Sequence, residues 1–251
     1  MYDPVRRAKA LERIAFQGRN RRYYRFRGAK WYGGIATGDV AVCNLRCAFC
    51  WAGDTVMNRP QDVGKFYSPE DAYSNLDRIA ERGGYSQLRL SGQEPTIGSE
   101  HLLGLIEIVE ESRYNFILET NGILLGAEPD YASSLSGFRK LHVRVSLKGT
   151  CEEEFGLLTG ANPDSFGLQL QALKNLKDSG VSCHPAVMVS FSSKENFENL
   201  ADRLIEMDKS LFREVEIEEL IAYPHVLRRL KKAGFSSVPS HPHNKPLEEF
   251  I

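Results

Sequence analysis

Between residues 35 and 221 the chain repeats one pattern: a short β-prone run, a polar turn, and a stretch with helical spacing. Strands are expected at 35–42, 87–90, 116–119, 141–146, 181–189 and 214–221, with helices between them. Ser68-Pro69-Glu70-Asp71 reads as a helix start, and Gly83-Gly84 as its end. Strand–helix alternation calls for right-handed crossovers and a parallel sheet. Six units rather than eight imply an α/β fold built as a partial, splayed (β/α)6 TIM-like barrel. Such barrels place their sites at the carboxyl ends of the strands, and the polar motifs of this chain fall there.

The first of these ends carries Cys43-Asn44-Leu45-Arg46-Cys47-Ala48-Phe49-Cys50, three cysteines at a CxxxCxxC spacing. Thiolates are the usual ligands of iron–sulfur clusters, and an ordinary [4Fe–4S] cluster takes four. Three clustered thiolates leave one iron open to a small molecule. A structural zinc site needs a fourth ligand and usually takes two CxxC-like pairs, and no second pair exists here. Buried, inert thiols are the bland alternative. Cys151 and Cys183 lie far apart, without CxxC partners.

This spacing, with an aromatic residue directly before the last cysteine, resembles the radical S-adenosylmethionine (SAM) superfamily. The resemblance implies a cluster held by Cys43, Cys47 and Cys50, whose open iron chelates SAM. One electron splits SAM to a 5′-deoxyadenosyl radical that abstracts hydrogen. Ser91-Gly92-Gln93-Glu94-Pro95 looks like the family's Gly-Gly-Glu-Pro turn, with Gln93 in place of the second glycine. It implies SAM contacts at Gly92, Gln93 and Glu94. Phe49 would place its backbone and ring near adenine. Glu119-Thr120-Asn121-Gly122 and Val145-Ser146-Leu147-Lys148, followed by Thr159-Gly160-Ala161-Asn162, resemble strand ends of glycyl-radical activating enzymes, especially pyruvate formate-lyase activating enzyme. They imply cofactor contacts at Thr120, Asn121, Ser146 and Lys148. Ser146 stands where those enzymes carry aspartate, which puts their cation site near SAM in doubt. Glu219-Leu220-Ile221-Ala222-Tyr223-Pro224-His225 resembles the sixth-strand end, adding His225. Expected partners are a one-electron donor, flavodoxin or ferredoxin, and a glycyl-radical enzyme. The absence of a cysteine-rich extension argues against members with auxiliary clusters, including the molybdopterin-precursor synthase and the peptide-maturation enzymes.

The formal net charge of −1 conceals an asymmetry: residues 1–30 hold ten Lys or Arg against Asp3 and Glu12. Within them, Tyr23-Tyr24-Arg25-Phe26-Arg27 interleaves aromatics with arginine, a pattern able to grip single-stranded RNA. An edge strand covering the domain is the structural alternative. The expected organisation is a basic arm at 1–30, the barrel at 31–225 and an irregular tail at 226–251 containing Pro239, Pro242 and Pro246. No apolar run is long enough to span a bilayer. Five cysteines at low density fit a reducing cytoplasm. The leading function is a radical SAM oxidoreductase of the glycyl-radical activating kind. A radical SAM enzyme modifying RNA or another substrate, and a non-catalytic iron–sulfur or zinc-binding regulator, are the alternatives.

Overall fold

The computed structural model describes residues 1–30 and 33–243. Six parallel strands form its centre: β3 (Ile35–Val40), β5 (Gln87–Gly92), β6 (Asn115–Thr120), β7 (Leu141–Leu147), β8 (Cys183–Met188) and β9 (Glu216–Glu218). They lie side by side in that order, each bonded in parallel to the next. Among the described residues β3 and β9 do not pair with each other, so the cylinder stays open, as a partial barrel requires. The crossovers are α3 (Pro69–Gly83), α4 (Ser99–Glu110), α5 (Ile123–Ala127) with α6 (Pro129–Ser134), α7 (Glu152–Thr159) with α8 (Phe166–Asp178), and α9 (Lys194–Met207) with α10 (Lys209–Arg213). The caps are those the residues dictate. Ser68 Oγ accepts from the Asp71 amide at 3.1 Å, Pro69 opens α3, and Gly84 closes it in the left-handed conformation at φ 65°.

The basic N-terminal stretch is part of this body. Asp3 caps α1 (Pro4–Ala15) by accepting from the Val5 and Arg6 amides. The helix buries Ala8 and Ala15 and packs Val5, Leu11 and Ile14 against the core. After the short β1 (Phe16–Gln17), β2 (Asn20–Ala29) runs antiparallel to β3, and β4 (Lys65–Tyr67) pairs with β2. Arg21 is buried, donating to the carbonyls of Ala15 and Glu94 at 3.3 and 3.0 Å. Arg22 donates to the carbonyls of Ile14 and Val63. The ring of Tyr23 stacks on Phe26, with centroids 5.0 Å apart, inside the core. Arg21, Arg22, Tyr23 and Phe26 are thus spent on packing.

The carboxyl end also departs from expectation. The last strand stops at Glu218, and β10 (Leu220–Ala222) leaves the barrel to pair with β11 (Ser240–Pro242). Residues expected to be irregular from 226 onward begin inside a helix, α11 (Pro224–Lys232), which buries Val226 and Leu230. Proline at its first position and an i, i+4 apolar pair explain it. The tail's 244–251 segment, with Pro246, and residues 31 and 32 of the expected barrel lie outside the described residues. No helix among the described residues is long and apolar enough to cross a membrane.

His101 on α4 joins the N-terminal strand to the barrel. It accepts the Tyr23 hydroxyl at Nε2, 2.8 Å away, and its Nδ1 meets the Arg19 carbonyl at 3.3 Å. Burial, assisted by Arg21, lowers its pKa from 6.5 to about 4. The unfolded chain therefore takes up a proton that the folded chain refuses. Stability is expected to fall as pH drops from 6.5 towards about 4, by up to about 3 kcal/mol from this residue. Urea denaturation across that window should show a smaller decline for His101→Gln than for the native chain. Equal declines would assign the effect to other groups.

Candidate active site

The three expected cysteines do come together at the carboxyl end of β3. Cys43, Cys47 and Cys50 line one cavity of about 780 Å3 that runs into the barrel. Val42, immediately before them, is the sole non-glycine residue with positive φ (78°) among the described residues. This strained backbone turns the chain out of the strand and into the loop. The loop is then held from four sides. Asn44 Nδ2 donates to the Pro4 carbonyl at 3.3 Å and the Ala48 amide to the Leu158 carbonyl at 2.8 Å. Asn121 Nδ2 donates to Asn44 Oδ1 at 2.8 Å, and Arg229 of α11 donates to the carbonyls of Cys50 and Ala52.

All five cysteines are free thiols. Burial pushes the Cys47 thiol up to about 12 and Cys43 well above the ordinary thiol range, and neighbouring sulfurs add to both shifts. A positively charged iron replaces such protons on binding. No three His, Cys, Asp or Glu groups among the described residues converge as ligands of a single metal ion. Thiols spread around one cavity suit a cluster, in which each sulfur meets a different iron. Side-chain amides also face the sulfurs: Asn121 Nδ2 lies 3.8 Å from Cys43 Sγ, and Gln93 Nε2 3.9 Å from Cys50 Sγ. The residues present fit a [4Fe–4S] cluster.

Around this loop the expected cofactor residues divide into two groups. Phe49, Gln93, Ser146 and Lys148 border the cavity. Phe49 rests its ring on Phe191, with centroids 5.5 Å apart. Lys148 Nζ donates to Ser146 Oγ, which donates in turn to Glu218 Oε2 at 2.9 Å. The carboxylate near Ser146 thus comes from β9.

Gly92, Glu94, Thr120 and Asn121 also line the cavity and at the same time tie strands of the scaffold together. A Cβ at Gly92 would lie 2.9 Å from the Asp39 Cα, and its φ is 93°, so β3 itself demands glycine there. Glu94 is buried. Its Oε1 accepts from the Thr96 amide, the Thr96 hydroxyl and the Thr120 hydroxyl, and its Oε2 from the Asn121 amide at 2.8 Å. His225 lies outside the cavity, with Nε2 2.9 Å from the Trp51 carbonyl. It steadies the thiol loop from the rim.

Sequence motifs did not reveal the polar axis of the barrel. Arg89 bridges Thr37 Oγ1 at 3.1 Å and Glu119 Oε1 at 2.9 Å, while Ser91 donates to Glu119. Arg144 holds Glu216 with two bonds of 2.9 and 2.8 Å and reaches Glu218 at 2.9 Å. Burial opposes charge on both carboxylates, yet Arg144 holds Glu216 and Glu218 below the usual range; His184 assists at Glu216 and Lys148 at Glu218. A readable signal was present in β7. Leu141, Val143, Val145 and Leu147 alternate with His142, Arg144, Ser146 and Lys148, whereas strands covered on both faces normally read as apolar runs. Gln169 carried no signal. It is buried on α8, accepting from the Lys148 amide at 3.0 Å and donating to the carbonyls of Asn121 and Ser146.

Two outcomes are expected from this geometry. Serine at Cys43, Cys47 or Cys50 should abolish stoichiometric iron after anaerobic reconstitution, while serine at Cys151 or Cys183 should leave it intact. Iron analysis decides, and a cluster lost with Cys151 but kept without Cys47 would refute the assignment. Glu94→Gln puts an amide donor among four donors, and should cost about 2–3 kcal/mol in urea unfolding. An unchanged midpoint would remove Glu94 from its place as a crosslink.

The profile of the Radical SAM superfamily matches residues 40–204. A probable GTP 3′,8-cyclase of Saccharolobus islandicus is 26% identical over 212 residues, 84% of this chain and 61% of the relative. A 7-carboxy-7-deazaguanine synthase of Methanothermobacter thermautotrophicus is 23% identical over 174 residues, 66% of either protein. Among solved structures, Streptococcus suis SuiB superposes with a TM-score of 0.58 at 19% identity, over 84% of this chain and 42% of SuiB, a likeness of fold. The chain therefore spans about three fifths of the cyclase's length. These sequence relatives are a cyclase and a synthase, so the narrower likeness to glycyl-radical activating enzymes gives way. With the match running from the end of β3 into α9, the chain belongs to the radical SAM superfamily, and its cofactors are a [4Fe–4S] cluster and S-adenosylmethionine.

Proposed function

We propose that this enzyme acts on a small guanine-type heterocycle held inside the barrel. The observation that carries this reading is the carboxylate pair Glu216 and Glu218, fixed by Arg144 on the wall of the thiol-lined cavity. Guanine presents N–H donors on one edge, and ionised carboxylates accept from such groups with charge-assisted strength. The names of two relatives, a GTP cyclase and a deazaguanine synthase, point to the same ring system. A cavity of about 780 Å3 suits a small molecule beside SAM, within the ordinary range of ligand sites.

Bound at the thiol loop, the cluster and SAM supply a hydrogen-abstracting radical, with one electron drawn from a donor of the flavodoxin or ferredoxin class. The chain's residues do the rest. Lys148 lies at the strand end where a SAM carboxylate would gain a charge-assisted contact. Phe49, its ring backed by Phe191, gives the cavity an apolar surface for an adenine ring. Gln93 and Asn121 present amides towards the sulfurs. Glu216 and Glu218 orient the heterocycle. Their ion pairs are already formed, so binding needs little rearrangement.

The test is an anaerobic reaction of the reconstituted protein with SAM, a reductant, and deuterated GTP or guanosine. Deuterium should appear in 5′-deoxyadenosine by mass spectrometry. Glu218→Gln should lower kcat/KM about tenfold or more, as loss of a charged hydrogen bond implies. Turnover of SAM with no label transferred from any guanine compound would refute the substrate class.

A further inference from the structure

The N-terminal strand β2 lies outside the repeating barrel units, yet three of its side chains line the cavity: Tyr24, Arg25 and Arg27. A break in register between Tyr23 and Arg25 puts them there. Tyr23 pairs with Val40, but Arg25 pairs with Asp39, so Tyr24 is an extra residue on the strand. Such bulges re-aim side chains and recur beside active sites.

The re-aimed groups do not satisfy one another. The Tyr24 hydroxyl is buried and has no hydrogen-bond partner among the described residues. A buried hydroxyl left so costs stability, and its retention beside a cavity calls for a function such as completion by a ligand. Arg25 and Arg27 share a single carboxylate, that of Asp39, which is fully buried. Arg25 reaches it through Nε at 2.7 Å, and Arg27 through Nε at 2.8 Å and a terminal nitrogen at 3.3 Å. Two guanidiniums on one carboxylate leave one positive charge over. Arg25 is the freer of the two, with its side chain 43% exposed against 27% for Arg27. Its guanidinium lies 5.7 Å from the Tyr24 ring centroid and 5.5 Å from that of Trp51, which fixes its position between two rings. Trp51 follows the last cysteine directly and is 39% exposed.

We propose that Tyr24, Arg25 and Trp51 form an oxyanion subsite at the cavity wall, anchoring a phosphate or carboxylate group of the substrate. Arg25 offers its outer N–H donors, Tyr24 offers O–H, and Trp51 gives the adjoining part of the substrate a flat surface. Arg27 neutralises Asp39 and so releases Arg25 for this task. The inference rests on the reading that the cavity holds a small substrate, but not on that substrate being a guanine.

Isothermal titration calorimetry of the anaerobic, SAM-saturated holoprotein tests it, with inorganic pyrophosphate and malonate as probes. At least one probe should bind, and the tighter one tells phosphate from carboxylate. Arg25→Gln should weaken that probe about tenfold or more, with Arg25→Lys intermediate because charge survives and the fork does not. Tyr24→Phe should weaken it several-fold and raise the melting temperature or leave it unchanged, since the orphaned hydroxyl is gone. Arg27 stays in place throughout, because removing both arginines would strand Asp39. If Arg25→Gln fails to fold, Tyr24→Phe alone carries the test. Native-like affinity in a folded Arg25→Gln or in Tyr24→Phe, or no binding of either probe to the native holoprotein at millimolar concentration, would overturn the proposal. If label transfer from guanine compounds fails while anion binding depends on Arg25 and Tyr24, the subsite stands and the guanine reading falls.

Discussion

The buried carboxylate of Glu94 is the constraint on which the site depends. One side chain closes its own turn through Thr96 and pulls in the end of β6 through Thr120 and the Asn121 amide. Asn121 then holds Asn44 between the first two cysteines. A buried charge is tolerated only when its lone pairs are filled, and here four donors fill them. The thiol loop is positioned because a carboxylate at the end of the neighbouring strand leaves the Asn121 backbone nowhere else to go. Arg21 joins the same unit through the Glu94 carbonyl, which makes the N-terminal strand a support for the cluster loop.

Deeper in the barrel the logic is similar, but its purpose differs. Arg89 with Glu119 joins two neighbouring strands, and Arg144 with Glu216 and Glu218 reaches across β8 from β7 to β9. Ion pairs of this kind add little net stability compared with an apolar core. What they add is order: each carboxylate is fixed in direction before anything binds, and Arg144 keeps Glu216 and Glu218 ionised. The apolar members of β7 meanwhile face the helices and form the true core. The strand therefore separates folding from chemistry by alternation alone.

The architecture was legible because periodicity survives in a single sequence. All six parallel strands lie where β-prone runs predicted them, and Ser68 and Gly84 bound α3 as expected. The thiol triplet was legible because its ligands are local. Motifs at strand ends were harder to read, since a motif gives position without role. Gly92 and Glu94 occupy the expected turn, yet one accommodates β3 and the other ties down β6. Gln169 and the Arg144 cluster were not legible as a site, because their partners lie on other elements, 21 to 74 residues away. At 1–30 the charge dominates the composition and hides the burial of this stretch, which rests on Ala8, Ala15 and Tyr23.

The division of labour has a consequence for how such an enzyme can change substrate. Groups that hold the cluster loop are locked to each other: altering Glu94, Asn121 or Gly92 disturbs two or three strands at once. Arg25 and Trp51 on the cavity wall are held more lightly. Arg25 touches the scaffold through a single nitrogen, and Trp51 projects from the end of the loop. Substitution there alters the cavity wall without unpicking the crosslinks beneath it. The β2 bulge extends this freedom to an element the barrel repeat does not supply. On the proposed reading, side chains of β2 can vary with the substrate while Glu94 and Asn121 keep the thiol loop in place.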